Sequence, residues 1–308
     1  MLGALSDIGP VYRSVRFEYG LWYAPNQFEP KIGKSLKMDD IESIEWWREA
    51  VANARSLSDL EHIFRTLWPS SFPKPIRNPL FDFPDVIIHA SETSVKKHPS
   101  YHNAKTGDAE SASILIDDTI NSDAVDEIRN LLCGRKPIIV CAHAIEREGV
   151  NAIPEVFADK LSQKLGFIVD NGIIQINQVG HTGSDGFGRL ARQPVFEGNV
   201  IPGQDYLIVD DFVGMGGTLA NLRGYIESKG GKVIAATVLT GKQYSAKIAL
   251  NRDTLQNLRN KHGRELENWW QERFGHAFDS LTQSEARYLL KTENADRIRE
   301  KIVAAEQG

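Results

Sequence analysis

The stretch that most constrains the fold is Tyr206 to Leu222, YLIVDDFVGMGGTLANL. Leu207, Ile208 and Val209 form an apolar run of the kind found in a strand buried on both faces. It ends in two adjacent carboxylates, Asp210 and Asp211, and a short loop carrying Gly214, Gly216 and Gly217 leads to Thr218 at the start of a helical pattern. Glycines let backbone N–H groups turn inward around an anion. The helix N-terminus adds partial positive charge at the same point. Thr218 is placed to cap the helix and to donate its hydroxyl to a phosphate oxygen. Strand, loop and helix in that order put the site at the carboxyl end of a parallel strand, where open α/β sheets bind ligands. The two acids repel a phosphate, so they suit sugar hydroxyls or a divalent metal bridging to phosphate. Together these features describe a ribose 5-phosphate site. The string SILIDDTI (113–120) also has two aspartates after apolar residues, but it lacks glycines and lies in a helical pattern, so it reads as a surface-facing helix.

Around that motif the chain alternates. Residues 85–90, 136–144, 167–179, 205–212 and 232–241 read as strands; 107–132, 153–166 and 218–231 read as helices, with Asp108 and Ser122 or Asp123 as caps within 107–132 and glycines closing the other two. This predicts an α/β fold, a parallel sheet flanked by helices. Residues 69–84 hold five prolines, which exclude a helix or central strand and mark a connector. Ahead of it, Asp39 or Asp40 and the Ser58/Glu61 capping box start two expected helices. Beyond 245 the pattern is helical, with a Thr282/Glu285 capping box and helical periodicity from Arg287 to Ala305. The expected organisation is a mostly helical N-terminal extension (1–80), an α/β core (81–245) and a C-terminal helical segment (246–308) acting as hood or interface.

Composition sets the class. With 41% hydrophobic and 25% charged residues, the 308-residue chain has material for a real core. A net charge of −5, from 36 basic and 41 acidic residues, speaks against a general nucleic-acid binder and leaves a local patch open. Cys133 and Cys141 form neither a CxxC pair nor a disulfide framework, no apolar run approaches a membrane span, and the first ten residues lack a signal-peptide pattern. A cytoplasmic protein without membrane contact is the expectation.

The 206–222 string resembles the phosphoribosyl pyrophosphate motif of type I phosphoribosyltransferases, and the resemblance extends over about 85–245. It implies a type I phosphoribosyltransferase-like core that binds phosphoribosyl pyrophosphate with Mg2+ and displaces pyrophosphate at C1 of the ribose with a nitrogen nucleophile, a base or nucleotide-like acceptor. Asp210 and Asp211 would hold ribose hydroxyls or the metal, directly or through water. Gly214, Met215, Gly216, Gly217 and Thr218 would hold the 5-phosphate. The commoner family loop has Thr or Ser where this chain has Gly214 and Met215, so two hydroxyls are missing. The family's pyrophosphate loop matches the segment after strand 136–144, where Arg147 is the candidate cation and His143 a possible neighbour. Its flexible lid matches 177–199, which holds five glycines (180, 183, 186, 188 and 198), Arg189 and Arg192 to reach pyrophosphate, and His181. The segment 96–108 is a candidate site edge through His98, Tyr101 and Lys105; His98 and His102 lack a third metal ligand.

Three functions follow: a transferase acting on phosphoribosyl pyrophosphate, a hydrolase of the same compound, and a non-catalytic sensor of it. The overall layout also resembles phosphoribosyltransferase-like toxins of toxin–antitoxin or antiphage systems, which would disturb nucleotide metabolism and answer to an antitoxin. Trp22, Trp46, Trp47 and Trp68 mark a candidate interface for a homodimer or such a partner.

Overall fold

The structure, a computed structural model, describes residues 74–142, 145–146, 149–177, 179 and 185–307, all within one compact unit, Lys74–Gly308. Residues 1–73 of the expected extension, with its tryptophans and its two expected helices, lie outside the described residues.

A four-stranded parallel sheet forms the centre: β1 (Ile87–Ala90), β2 (Ile138–Cys141), β7 (Asp205–Val213) and β8 (Lys232–Gly241), in the order β1-β8-β7-β2. Cys141 pairs with Val209, Asp210 with Val238, and Val213 with Gly241. The period-two geometry of β7 sends Leu207 and Val209 to one face and Tyr206 and Ile208 to the other. On the first face lie α1 (Glu92–Lys96), α2 (Tyr101–Lys105), α3 (Ala109–Thr119), α4 (Ser122–Leu132) and α5 (Ile153–Leu165), packing through Val95, Ala104, Leu115, Ile128 and Phe157. On the second lies α7 (Gly217–Ser228), through Leu219, Leu222 and Ile226. Both faces are covered, which is why the strands are apolar nearly throughout.

Between these come two pairs of short antiparallel strands. β3 (Ile145–Glu146) pairs with β4 (Gly149–Val150), and β5 (Ile174–Gln175) with β6 (Phe196–Glu197). The strand expected over 167–179 is thus mostly irregular. Asp170 accepts from Gly172 N at 2.8 Å and turns the chain, leaving β5 and one bridge from Ile139 to Val169.

The remaining helices are α6 (Gly186–Ala191), α8 (Arg252–Phe274), α9 (Gln283–Lys291) and α10 (Ala295–Gln307). They share a third core of Phe187, Leu190, Leu258, Trp270, Leu289 and Ile302. The periodicity across 287–305 is split at Thr292, the C-cap of α9. The proline-rich connector has no regular structure over 74–80, yet it is packed: Leu80 is buried, and a Cβ on Gly224 of α7 would come within 2.7 Å of Arg77 Cα.

Local caps follow the sequence with one shift. Asp108 caps α3 and the Thr282/Glu285 capping box opens α9, while α4 is capped by Asn121 rather than Ser122 or Asp123. The 113–120 string is helical, with Leu115 and Ile116 buried and Asp117 and Asp118 exposed. Both cysteines are free thiols, and no described helix is long and apolar enough to cross a membrane.

Candidate functional site

The carboxyl ends of β1, β8, β7 and β2 open on one edge of the sheet. β7 carries Asp210 and Asp211 there. Asp210 is buried, and its Oδ1 accepts from the Asp211 amide at 2.8 Å. Burial, reinforced by the negative charge of Asp211, pushes the Asp210 carboxyl well above the usual carboxylate range. Asp211 is also desolvated, which acts to raise it, but Lys105 and Asn151 outweigh burial and hold it below that range. Lys105 Nζ lies 2.8 Å from Asp211 Oδ2, and Asn151 Nδ2 donates to the same oxygen at 3.0 Å. The two neighbouring carboxyls thus sit in opposite environments: burial disfavours the charged form of Asp210, while Lys105 and Asn151 favour that of Asp211.

Two chain segments deliver those partners. Lys105 ends α2. Asn151 precedes α5, where its Oδ1 accepts from Ile153 N at 3.2 Å. A hydrogen bond from Ala152 N to Ala104 O (3.1 Å) ties the two segments side by side. Lys105 is thus at the site, as the sequence suggests. Asn151 is not foreseeable from a motif. Its position one residue from a helix start is its only local signal.

After Val213 the chain leaves the sheet and enters α7. Gly216 is the N-cap, at φ 83°, and no side chain caps the first turn. Thr218, expected to cap, is the second residue of the helix and makes no side-chain cap. The left-handed turn at Gly216 starts the helix early. The loop is held from outside: Ser245 Oγ donates to Gly214 O at 2.6 Å and Thr282 Oγ1 to Met215 O at 2.6 Å. Its glycines meet close neighbours. A Cβ on Gly217 would stand 2.7 Å from Glu285 Oε1, one on Gly216 2.7 Å from Ile248 Cγ2, and one on Gly214 would overlap Arg189 Nη1.

Beneath the loop is a buried ion pair that sequence reading missed. Arg77 and Glu285 have side chains 1% and 2% exposed, and Arg77 Nη1 and Nη2 meet Glu285 Oε2 and Oε1 at 2.6 and 3.0 Å. Arg77 Nε donates to Asn221 Oδ1 of α7, and Glu285 Oε2 accepts from Thr282 N at 2.9 Å. Connector, α7, α9 and the loop are therefore one hydrogen-bonded unit.

The other expected site residues divide three ways. Arg147, His143 and His181 lie outside the described residues. His98 is engaged elsewhere on its own segment and α3: its Nε2 is 3.1 Å from Asp118 Oδ2, its Nδ1 accepts from Ser100 N, and Tyr101 packs on the first core. The described part of the expected lid, 185–199, is packed, not a free loop. Phe187, Leu190, Val195 and Phe196 are buried, and Gly198 is there because Ile173 Cα would stand 2.7 Å from a Cβ. Arg192 donates from Nε to Val179 O at 3.1 Å and from Nη1 to Ala305 O, which ties it to α10. Arg189, by contrast, reaches the loop at Gly214.

Among the described residues no cluster of three or more His, Cys, Asp or Glu forms a metal cage. Asp210 and Asp211 offer carboxylate oxygens at one point. They fit a divalent cation whose remaining ligands are substrate oxygens and water.

No family model matches this sequence. It is 42% identical over 236 residues to Protein TraN of Escherichia coli, covering 77% of this chain and 53% of that protein. It is likewise 42% identical over 146 residues to an uncharacterized protein of Haemophilus influenzae, covering 47% of this chain and 32% of the relative. The chain thus spans about half or less of the length of the curated relatives it matches. Among solved structures, adenine phosphoribosyltransferase from Thermoanaerobacter pseudethanolicus superposes at TM-score 0.27 with 21% identity, over 39% of this chain and 67% of that one. Orotate phosphoribosyltransferase from Mycobacterium tuberculosis, in complex with inorganic phosphate, gives 0.25 and 14%, over 46% and 66%. Scores this low carry no argument. The fold assignment rests on this chain's own sheet order and register, those of a parallel α/β sheet flanked by helices.

Proposed function

We propose that the chain binds phosphoribosyl pyrophosphate at the carboxyl edge of its sheet and transfers the phosphoribosyl group to a nitrogenous acceptor. The observation that carries this reading is the juxtaposition on β7 and α7: two adjacent carboxyls, Asp210 buried and Asp211 held by Lys105 and Asn151, then a glycine loop whose helix start no side chain caps. The ionised Asp211 suits a sugar hydroxyl as donor or a Mg2+ shared with the substrate. The amides of 214–218 suit the 5-phosphate. Mg2+ bound at the pair would supply neutralisation of the leaving pyrophosphate. The protein's own part is to orient the ribose and hold charge, since displacement at C1 needs no covalent nucleophile. Arg147, after β2, is the proposed pyrophosphate contact, with His143 at the site edge.

A second reading, binding without turnover, draws on one feature: Asp211 Oδ2 is already engaged by both Lys105 and Asn151. Phosphorus NMR of phosphoribosyl pyrophosphate with Mg2+ and purified protein separates the readings, with an Asp210→Asn/Asp211→Asn variant as control. Pyrophosphate released only when a small-molecule cell extract is added supports transfer. Release without extract means hydrolysis. Perturbed signals without turnover mean a sensor, and unperturbed signals sink all three. The toxin role is an extension of the transfer reading: it requires growth arrest on expression, relieved by Asp210→Asn. No relative described above bears a name that speaks for it.

A further inference from the structure

Arg189 occupies a place that the loop has been shaped to leave open. Gly214 has no side chain and Met215 no polar one, so this half of the loop offers an anion only its amides. The Arg189 guanidinium lies against Gly214 closely enough that any Cβ there would overlap Nη1, with Phe212 Cε1 3.2 Å away as the next neighbour. The helix that carries it is fixed. Asp185 caps α6 by accepting from Gly188 N at 2.8 Å, Phe187 and Leu190 are buried in the third core, and the Phe187 ring meets Tyr288 edge-on at 5.0 Å. Arg189 is therefore presented by packed structure and needs no loop closure to arrive.

The surroundings are cationic. Lys96 Nζ sits 4.7 Å from the centroid of the Phe212 ring, next to the loop. Lys242 follows β8, and its amide donates to Val213 O at 3.0 Å. One carboxylate answers them. Glu92 is held below the usual carboxylate range by its hydrogen bond from Lys96, with the charges of Lys242 and Arg189 adding to the effect. Lys96, Lys242 and Arg189 thus all act on Glu92 beside the loop, and positive charge is the sign a phosphate requires.

We infer that Arg189 is a pre-positioned ligand of the substrate's 5-phosphate, supplying the charged donors that Gly214 and Met215 lack. Its planar fork gives two parallel N–H groups to a phosphate, where a hydroxyl side chain gives one. This rests on the sugar-phosphate reading above and assigns Arg189 to the 5-phosphate, not to pyrophosphate.

The test is isothermal titration of the full chain with ribose 5-phosphate and, separately, with inorganic pyrophosphate and Mg2+. Arg189→Ala is expected to weaken ribose 5-phosphate roughly 10- to 100-fold, the range for a lost charge-assisted contact, and to leave pyrophosphate unchanged. Gly214→Ala is expected to do nearly the same while shifting the melting temperature little, because its methyl chiefly displaces the far end of the flexible Arg189 side chain and asks only a slight give of the Phe212 ring at 3.2 Å. In the double variant the losses should not add, since both remove one contact. Wild-type binding that survives Arg189→Ala overturns the inference alone, as does a loss confined to pyrophosphate, or losses that add in the double variant. Failure of the wild type to bind ribose 5-phosphate overturns the sugar-phosphate reading and the inference with it.

Discussion

Replacing Arg77 by Met should destabilise the Lys74–Gly308 unit by about 3–5 kcal/mol, the cost of leaving a buried charge without its partner. Glu285 would keep only the Thr282 amide, 2.9 Å from Oε2, in place of the two guanidinium contacts at 2.6 and 3.0 Å. With both side chains almost wholly buried, water cannot make up the loss. Asn221 and the Ser280 carbonyl lose donors as well. For a unit of this size each kcal/mol moves the melting temperature by about 2–4 °C, so a fall of roughly 6–20 °C is expected by circular dichroism. Exchanging both members, Arg77→Met/Glu285→Met, removes the orphaned charge and should recover at least about 2 kcal/mol over the single variant. Urea midpoints at pH 7 supply the free energies. A cost below about 1 kcal/mol for Arg77→Met, or a double variant no more stable than the single, would refute the account of this pair as a mutually dependent clamp beneath the loop.

Further expectations concern the loop, the acid pair and pH. Gly216→Ala must adopt φ 83° and press on Ile248 Cγ2, so a loss of about 2–3 kcal/mol in urea is expected; a neutral result would mean the loop has another accessible shape. Lys105→Met removes the cation that keeps Asp211 ionised, so the acid limb of ribose 5-phosphate binding should move to higher pH, and an unmoved limb would show that Lys105 does not set that charge. His89 is buried, its Nδ1 accepts from Asn121 N, and burial pulls it down to about 4. Its folded value lies below the unfolded one, so the unfolded chain binds the proton first. Stability should be full above about pH 6.5 and fall by up to about 1.4 kcal/mol per unit toward pH 4. His89→Phe should lose less stability between pH 7 and 4.5 than the wild type does; an equal loss would place the acid sensitivity elsewhere.

Much of the core could be read from the chain because its signals are local. Strand 205–212 was readable as apolar, doubly covered and ending in acids. Asp108 and the Thr282/Glu285 box announced α3 and α9 by residues three apart. The glycines after Asp211 announced a loop that leads into a helix start. The differences have equally physical causes. Glycines in 177–199 point to mobility; in the described part, 185–199, Gly198 is small because another backbone passes close by, and the apolar side chains of α6 bind that part to the C-terminal helices. Thr218 was read as the cap, but a left-handed glycine opens the helix two residues sooner.

By itself, then, the sequence determined the parallel sheet, its covering helices and the position of an acid pair before a glycine loop, since periodicity and caps are properties of neighbouring residues. Only the tertiary structure decided how the environments of the two acids differ, through Asn151, 60 positions from Asp211, and through Lys105. It also decided that Arg77 and Glu285, 208 positions apart, lock the loop from below, and that Arg189 fills the space Gly214 leaves. Such pairings depend on which surfaces the packed helices bring together. A side chain's charge state is set by its burial and its partners, and no local pattern records either.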